Sequence, residues 1–289
     1  MRIPRFWAVV EGSGTGPRGE HLFRRVWGWS MSSVAEAREV AYEQLRTVLA
    51  SIRSGTRVGG YYPRAPLREP ILNELMVDSE QALVVTRNRY GAEILNTDRI
   101  LIADIDLPGL AERVARNILR RLFKRSSAGP HPAAEPAAVI DRLATLTSWA
   151  DANPGLGVLV YRTASGLRVF VTGIVEPASS VQGEQVLAEL GADPIYRELC
   201  RTHGTFRARL TPKPWRLPDM QGPPGRWPHE EGRAERRFQR WLTKYEAAAR
   251  EYAVCRRLLA RGPAPSTLEA QIIQLHDDRT RVQAPLPLA

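Results

Sequence analysis

Two aspartates lie two positions apart behind an apolar run, in Ile100-Leu-Ile-Ala-Asp104-Ile-Asp106. Residues i and i+2 of a β-strand point to the same face, so the two carboxylates are expected side by side. Such neighbours repel each other and resist desolvation, so their ionised forms need a counter-charge. A hard divalent cation such as Mg²⁺ supplies that charge in phosphoryl-transfer sites. The pattern predicts a metal site at Asp104 and Asp106; the alternative is a strand end whose acids are solvated or paired with arginine.

A second candidate is the hairpin tip Arg162-Thr-Ala-Ser165-Gly-Leu-Arg168. It offers hydroxyls, backbone N–H groups and two guanidinium groups near a turn, which together suit a triphosphate. An ordinary exposed hairpin has the same composition, so that interpretation stays open.

A third candidate begins at Asp193-Pro-Ile-Tyr196 and continues into the strand-like run from Thr205 to Leu210. Strand alternation places Arg207 and Arg209 on one face. Beyond the strand lie Lys213, Trp215 and Arg216. Cations beside an aromatic ring suit the phosphates and bases of a nucleic acid. The alternative is a solvated edge strand.

A fourth candidate is the basic turn Thr86-Arg87-Asn88-Arg89-Tyr90-Gly91, one strand upstream of the two aspartates. Arg87 and Arg89 are predicted to contact nucleic acid there. The alternative is a plain Asn/Gly turn.

The composition is consistent with a polyanionic partner. In 289 residues, 41 Lys and Arg stand against 31 Asp and Glu, which gives a net charge of +10. No apolar run approaches the roughly 20 residues of a membrane helix, and the N-terminus does not read as a secretory signal, so we expect a cytoplasmic protein without membrane contact. The two cysteines and five scattered histidines indicate neither a disulfide scaffold nor a zinc site.

The elements that must position these residues predict an α+β fold. Two paired strands are expected within residues 1–31, a three-stranded meander over 82–106, a hairpin over 157–172 and a further single strand over 205–210. Helices are expected over 33–54, 69–77, 110–124, 136–150, 181–190, 193–201, 233–261 and 268–276, with a linker over 126–135. We expect an N-terminal α/β part over 1–80, a core with all the motifs over 81–217 and a C-terminal helical extension over 218–289.

The order of the motifs resembles the archaeo-eukaryotic primase superfamily. Asp104 and Asp106 match its acidic strand, and Ser165 and Arg168 fall where its Ser-x-His strand lies, with arginine in the place of histidine. Asp193 and Tyr196, followed by Phe206 and Arg207, resemble its third acid and the strand after it. The resemblance covers about residues 80–216.

This resemblance implies a mixed α/β core around a central antiparallel, RRM-like sheet. It implies Mg²⁺ or Mn²⁺ held by Asp104, Asp106 and Asp193, and nucleoside triphosphate contacted by Ser165, Arg168 and Arg207. The activity would be primase or polymerase-type nucleotidyl transfer on single-stranded or primed nucleic acid in DNA replication, with unwinding left to a separate helicase.

Other functions use parts of the same pattern. A metal-dependent nuclease would use the same acids, but the strands carry no Lys, His or Glu near them to position a water molecule. A nucleotide-sugar transferase also uses Asp-x-Asp, but this chain lacks the Rossmann-like alternation of strand and helix that such an enzyme has before that motif. A non-catalytic nucleic-acid-binding protein accounts for the arginines but not for the paired aspartates.

Overall fold

The structure is a computed structural model that describes residues 1–54, 66–107, 110, 136–174, 178–229 and 232–289. The chain forms two compact units, which divide between Pro70 and Ile71. The smaller unit is Arg2–Pro70, and the larger is Ile71–Ala289 together with Met1. The boundary predicted at residue 80 instead falls within a hairpin of the larger unit.

The smaller unit is a two-stranded antiparallel sheet with one helix. Its elements are β1 (Phe6–Thr15), β2 (His21–Ser30) and α1 (Val34–Ser54). The predicted helix start is confirmed, because the Ser33 hydroxyl accepts from the Glu36 N–H at 3.1 Å. The helix lies very close to β2 at Gly28, where an added Cβ would come 2.1 Å from the Ala37 carbonyl oxygen.

The larger unit contains eight strands and five helices within the described residues. The strands are β3 (Ile71–Val77), β4 (Glu80–Arg87), β5 (Glu93–Thr97), β6 (Leu101–Asp106), β7 (Gly157–Thr163), β8 (Gly166–Thr172), β9 (Phe206–Arg209) and β10 (Cys255–Arg261). The helices are α2 (Ala137–Ala152), α3 (Val181–Glu189), α4 (Pro194–His203), α5 (Arg233–Ala249) and α6 (Thr267–Thr280), and a 3₁₀ turn spans Pro214–Arg216.

These strands form two separate antiparallel sheets, in the orders β10-β7-β8-β6 and β3-β4-β5-β9. The predicted α+β class is therefore confirmed. The expected three-stranded meander over 82–106 is wrong in its last step, because β6 leaves the sheet of β4 and β5 and pairs with β8.

The helix predicted over 69–77 is a strand, and the helix predicted over 233–261 is confirmed only over Arg233–Ala249, since its last part is also a strand. Residues 71–77 form β3, an edge strand paired with β4, and residues 255–261 form β10, paired with β7. In both cases pairing with a partner distant in sequence or across a turn outweighs the weak local preference. The C-terminal part is thus not purely helical, since β10 completes a sheet. The helix predicted over 110–124, apart from Leu110, and the linker over 126–135 lie outside the described residues.

The core of the larger unit surrounds β6, β7 and β8, whose apolar side chains are almost wholly buried. Helix α2 contributes Val139, Leu146 and Ala150 to this cluster, and α6 contributes Ile272 and Ile273. Among the described helices, none combines the length and the apolar character needed to cross a membrane.

Candidate functional site

The two aspartates lie at the end of β6, where the strand leaves the core. Leu101, Ala103 and Ile105 are buried on one face. Asp104 is half-buried and Asp106 is exposed, and both occupy the other face. The side-by-side arrangement predicted from their spacing is therefore present, at a strand end that reaches the surface.

Asp104 is paired with a buried arginine. Arg168 lies directly opposite it on β8, and the Nε atom of Arg168 is 3.5 Å from Oδ1 of Asp104. The Arg168 side chain is 3% exposed and that of Asp104 is 31% exposed. This distance and the lack of hydrogen-bond geometry at Nε make the contact a loose ion pair.

The rest of the Arg168 guanidinium is held from the protein interior. Its Nη1 donates to the main-chain oxygen of Arg209 at 2.9 Å and lies 3.3 Å from Nε2 of His276 on α6. The His276 ring packs against Tyr161 and Phe170 at centroid distances of 4.9 and 4.6 Å. Burial, followed by the nearby Arg168 charge, lowers the pKa of His276 to about 4, although Asp277 opposes the shift. A neutral imidazole therefore supports the arginine that faces Asp104.

Asp193 adjoins β6 through its main chain and begins helix α4. Its N–H donates to the Asp104 carbonyl oxygen at 3.0 Å, and its Oδ1 accepts from the Tyr196 N–H at 2.9 Å. The Tyr196 hydroxyl donates to the Ile102 carbonyl oxygen at 2.6 Å and accepts from the Arg207 N–H at 3.2 Å. Tyr196 therefore ties β6 of one sheet to β9 of the other, next to the acids.

Three cations that follow or end β9 influence these acids. Burial lowers the pKa of Arg209 to about 10, while Asp104 opposes the shift. Burial together with Arg209 and Arg216 lowers the pKa of Lys213 to about 8, while Asp106 and Asp104 oppose it. Burial also lowers the pKa of Arg216, again against the two aspartates. The acids of one sheet thus face basic residues of the other.

The pKa of the Asp106 carboxyl is shifted upward, in the opposite direction to the pKa values of the three cations. Burial, then the charges of Asp104 and Asp193, raise its pKa, whereas Lys213 and Arg216 lower it. The three predicted acids therefore lie within electrostatic reach of one another. Within the described ranges, however, no three His, Cys, Asp or Glu side chains are grouped as ligands of one metal ion.

The hairpin tip predicted as the second motif packs against β6. Gly166 lies opposite Asp106, and an added Cβ there would come 1.9 Å from the Ile105 carbonyl oxygen, so only glycine allows this approach. Ser165 accepts from Nη2 of Arg216 at 3.0 Å through its hydroxyl. Its main-chain oxygen accepts from the Leu107 N–H at 3.1 Å. Ser165 and Arg216 are therefore held together beside the acids.

An aromatic and basic patch borders the same cations. The Tyr90 and Trp215 rings meet edge to face at a centroid distance of 5.2 Å. The Arg89 guanidinium lies 4.6 Å from the Tyr90 ring centre, and Nζ of Lys213 lies 5.8 Å from that of Trp215. The predicted residues Arg89, Lys213 and Trp215 are thus brought together, and Tyr90 joins them.

Two predicted arginines lie elsewhere. Arg87 was expected at an exposed turn, but its side chain is 7% exposed and its Nη2 is 3.3 Å from carboxylate oxygens of both Glu93 and Glu246. Its Nη1 donates to the Gly91 carbonyl oxygen at 2.9 Å, so its donors serve the fold rather than a surface. Arg207 is half-buried and lies beside Cys200, where its charge opposes the rise in the thiol pKa caused by burial.

Sequence reasoning missed His276 and Tyr90. His276 is 108 positions from Arg168 and carries no motif, so nothing local indicates their contact. Tyr90 is different, because it stands inside the basic turn that the sequence did single out. An aromatic residue between Arg89 and Gly91 was the available signal.

Searches against protein-family models, curated proteins and solved structures returned no match to this chain.

Proposed function

We propose that this protein is a metal-dependent nucleotidyltransferase of primase or polymerase type, which extends or begins a strand on a nucleic-acid template. The observation that carries the proposal is that cations lie beside the two aspartates: Arg216 donates to the Ser165 hydroxyl next to Gly166, which lies opposite Asp106, and the charges of Lys213 and Arg216 oppose the rise in the pKa of Asp106 that burial causes. A nucleoside triphosphate with a divalent ion needs both halves: carboxylates for the ion and cations for the phosphates. The resemblance of the motif order to the primase superfamily supports the same activity and a primase-like core.

The acids suit a hard divalent ion. Burial, and after it the charges of Asp104 and Asp193, raise the pKa of Asp106, so its ionised form is disfavoured and an added cation would offset that effect. One or two carboxylates and the substrate phosphates are sufficient to hold Mg²⁺. We assign Mg²⁺ or Mn²⁺ to Asp104 and Asp106, with Asp193 as the third acid. When bound, the ion would polarise the reacting oxygens and neutralise phosphate charge.

The cations divide into two roles. Lys213 and Arg216 are the proposed triphosphate contacts, with Ser165 orienting the Arg216 guanidinium. Arg168 is a positioning residue in this proposal, because its buried guanidinium holds Asp104 and is itself held by Arg209 and His276. This role differs from the phosphate contact expected of Arg168 and leaves Arg207 as a supporting residue beside Tyr196.

The test compares wild type, Asp106→Asn and the matched control Asp141→Asn. Asp141 is exposed on α2 and provides the same chemical change at an unrelated position. Primer extension and de novo dinucleotide synthesis are measured on single-stranded templates with Mg²⁺ or Mn²⁺ and with both ribo- and deoxyribonucleotides. We expect wild type and Asp141→Asn to synthesise product and Asp106→Asn to lose at least about a hundredfold in rate, since a charged ligand is removed.

A second candidate function follows from the Asp104–Arg168 ion pair, which is the structural role that an Asp-x-Asp strand can have without metal. In that case the protein binds nucleic acid and performs no synthesis. Wild type inactive with every template, nucleotide and ion, with Mn²⁺ leaving the melting temperature unchanged, would favour this candidate. Shortening of a labelled strand without added nucleotide would indicate a nuclease instead.

A further inference from the structure

Tyr90 and Trp215 form an aromatic contact that is exposed to solvent beside the candidate site. Tyr90 is 40% exposed and Trp215 is 48% exposed, although both are large rings that proteins usually cover. The planes of the two rings meet at 85° with centroids 5.2 Å apart, so the rings form a corner. The rings come from different segments, the β4–β5 turn and the 3₁₀ turn after β9.

Basic groups surround this corner. Arg89 lies over Tyr90, and Lys213 lies beside Trp215. Arg216 follows Trp215 directly and holds the Ser165 hydroxyl near the acids. A ligand in the corner would therefore meet π-faces for a flat group and cations for neighbouring negative charges.

We infer that this corner stacks an unpaired nucleobase of single-stranded nucleic acid next to the candidate site. Single strands expose the faces of their bases, and proteins bind them by combining a cationic groove with aromatic rings. A duplex hides those faces inside its stack and offers mainly phosphates. The corner therefore selects an unpaired strand over a duplex, with Trp215 and Tyr90 contacting the base and Arg89 contacting an adjacent phosphate.

The inference rests on the proposed function only in placing nucleic acid on this side of the molecule. Its test is binding without metal or nucleotide, measured by fluorescence anisotropy of a labelled deoxythymidine oligomer over a range of salt. The variants are Trp215→Ala, Trp215→Phe and Tyr90→Ala. The matched control is Tyr42→Ala, which removes an exposed tyrosine from the smaller unit.

We expect Trp215→Ala to weaken single-strand binding about tenfold and Tyr90→Ala by a smaller factor, with Trp215→Phe and Tyr42→Ala close to wild type. The slope of log affinity against log salt should not change, because stacking releases no counterions. Arg89→Ala should instead reduce that slope by about 0.7, the value for one lost phosphate contact on a single strand.

An abasic strand of equal length identifies the contact as a base. Wild type should bind the abasic strand more weakly than the thymidine strand, and Trp215→Ala should lose most of that difference. Duplex binding should be unaffected by Trp215→Ala. Equal loss on abasic strand and duplex, or no loss with either Trp215→Ala or Tyr90→Ala, would overturn the inference.

These outcomes are separable from the proposed activity. If Asp106→Asn abolishes synthesis while Trp215→Ala binds like wild type, the stacking inference fails and the nucleotidyltransferase stands. If wild type shows no synthesis but the base-dependent loss appears, the activity fails and the single-strand surface stands. Should Trp215→Ala melt early, Tyr90→Ala in the surface turn decides the stacking question alone.

Discussion

Arg87 and Arg168 are buried arginines on the two four-stranded sheets of the larger unit, and they are neutralised in different ways. Arg87 on β4 has two carboxylate partners, Glu93 and Glu246, at 3.3 Å. Glu93 in turn contacts Arg279 at 3.2 Å, so the network closes on itself. Within the described part of the chain, Arg168 on β8 pairs with a single carboxylate, that of Asp104, at 3.5 Å.

This comparison distinguishes Arg87, which is neutralised by structural partners, from Arg168, whose acidic partner Asp104 belongs to the proposed site. In the Arg87 network each charge has an opposite partner, with Arg87 and Glu93 buried and Glu246 and Arg279 half-exposed. In the Arg168 network the single acid is one-third exposed and stands beside Asp106, whose own charge is disfavoured. Under the proposed function this open pair of carboxylates would take a further cation as its counter-charge, which the closed network around Arg87 does not need.

We expect the largest change in stability from a substitution that breaks the closed network around Arg87. Arg87→Met removes a buried guanidinium and leaves Glu93 facing Glu246 with Arg279 as its remaining cation. We expect the free energy of unfolding to fall by about 3 kcal/mol, the low end for breaking a buried pair because Glu246 is half-exposed. Urea denaturation followed by circular dichroism measures this loss.

Arg89→Met is the matched control for that variant, since Arg89 is exposed in the following turn. It should change stability by less than about 0.5 kcal/mol yet weaken single-strand binding. Arg87→Met should leave the salt slope of binding unchanged at a temperature where it is folded. The reverse pattern, with Arg87 governing the slope, would make it a phosphate contact after all.

The next largest effect concerns His276, which contacts Arg168, and is seen in the pH dependence of stability. The pKa of His276 is lowered from 6.5 to about 4, so the unfolded chain binds a proton there that the folded chain does not. Stability from this residue is therefore complete above pH 6.5 and is lost as pH falls towards 4. Between pH 7.5 and 5 we expect wild type to lose about 2 kcal/mol through this group.

His276→Gln should remove that loss, because glutamine keeps an acceptor for Arg168 and does not titrate. Urea unfolding of both proteins at the two pH values gives the difference directly. His21→Gln, an exposed histidine in the smaller unit, should follow wild type. A His276→Gln protein that loses stability as wild type does would show that the acid sensitivity arises elsewhere.

Much of the architecture and part of the site follow from local pattern. The α+β class, the β7–β8 hairpin and helices α2, α3, α4 and α6 were predicted because apolar period, turn residues and caps are local signals. The shared face of Asp104 and Asp106 and that of Arg207 and Arg209 follow from strand alternation alone. These features need no knowledge of distant partners.

Several of the errors share one cause, which is pairing between segments distant in sequence, whereas β3 pairs with its immediate neighbour β4. Strand β10 was read as helix because its partner β7 lies about a hundred residues earlier, and β6 was assigned to the wrong sheet for the same reason. Arg87 was read as exposed because Glu246 is 159 positions away. Local composition carries no information about these contacts, so it cannot distinguish a buried arginine from a surface one.

The smallest expected change in stability is one that differs in sign between Asp104 and Asp106. Sequence spacing treats them alike and predicts that replacing both with asparagine relieves repulsion. In the structure Asp104 neutralises buried Arg168, so Asp104→Asn should lower the free energy of unfolding by about 1 kcal/mol, less than a fully buried pair because Asp104 is 31% exposed. Asp106→Asn should raise it by less than about 1 kcal/mol, because the folded state disfavours the Asp106 charge.

Thermal melts without metal across pH test this division. The pKa of Asp106 is raised above 3.8, so its penalty is present when the carboxyl is ionised and disappears as pH falls below that value. The advantage of Asp106→Asn should therefore shrink on acidification, while Asp141→Asn shows no such trend. Added Mn²⁺ should raise the melting temperature of wild type more than that of Asp106→Asn, because the variant lacks one of the two carboxylates of the proposed metal site. If both single variants were stabilised equally, Arg168 would not depend on Asp104 for its neutralisation, and the contrast between an open and a closed charge network would fail.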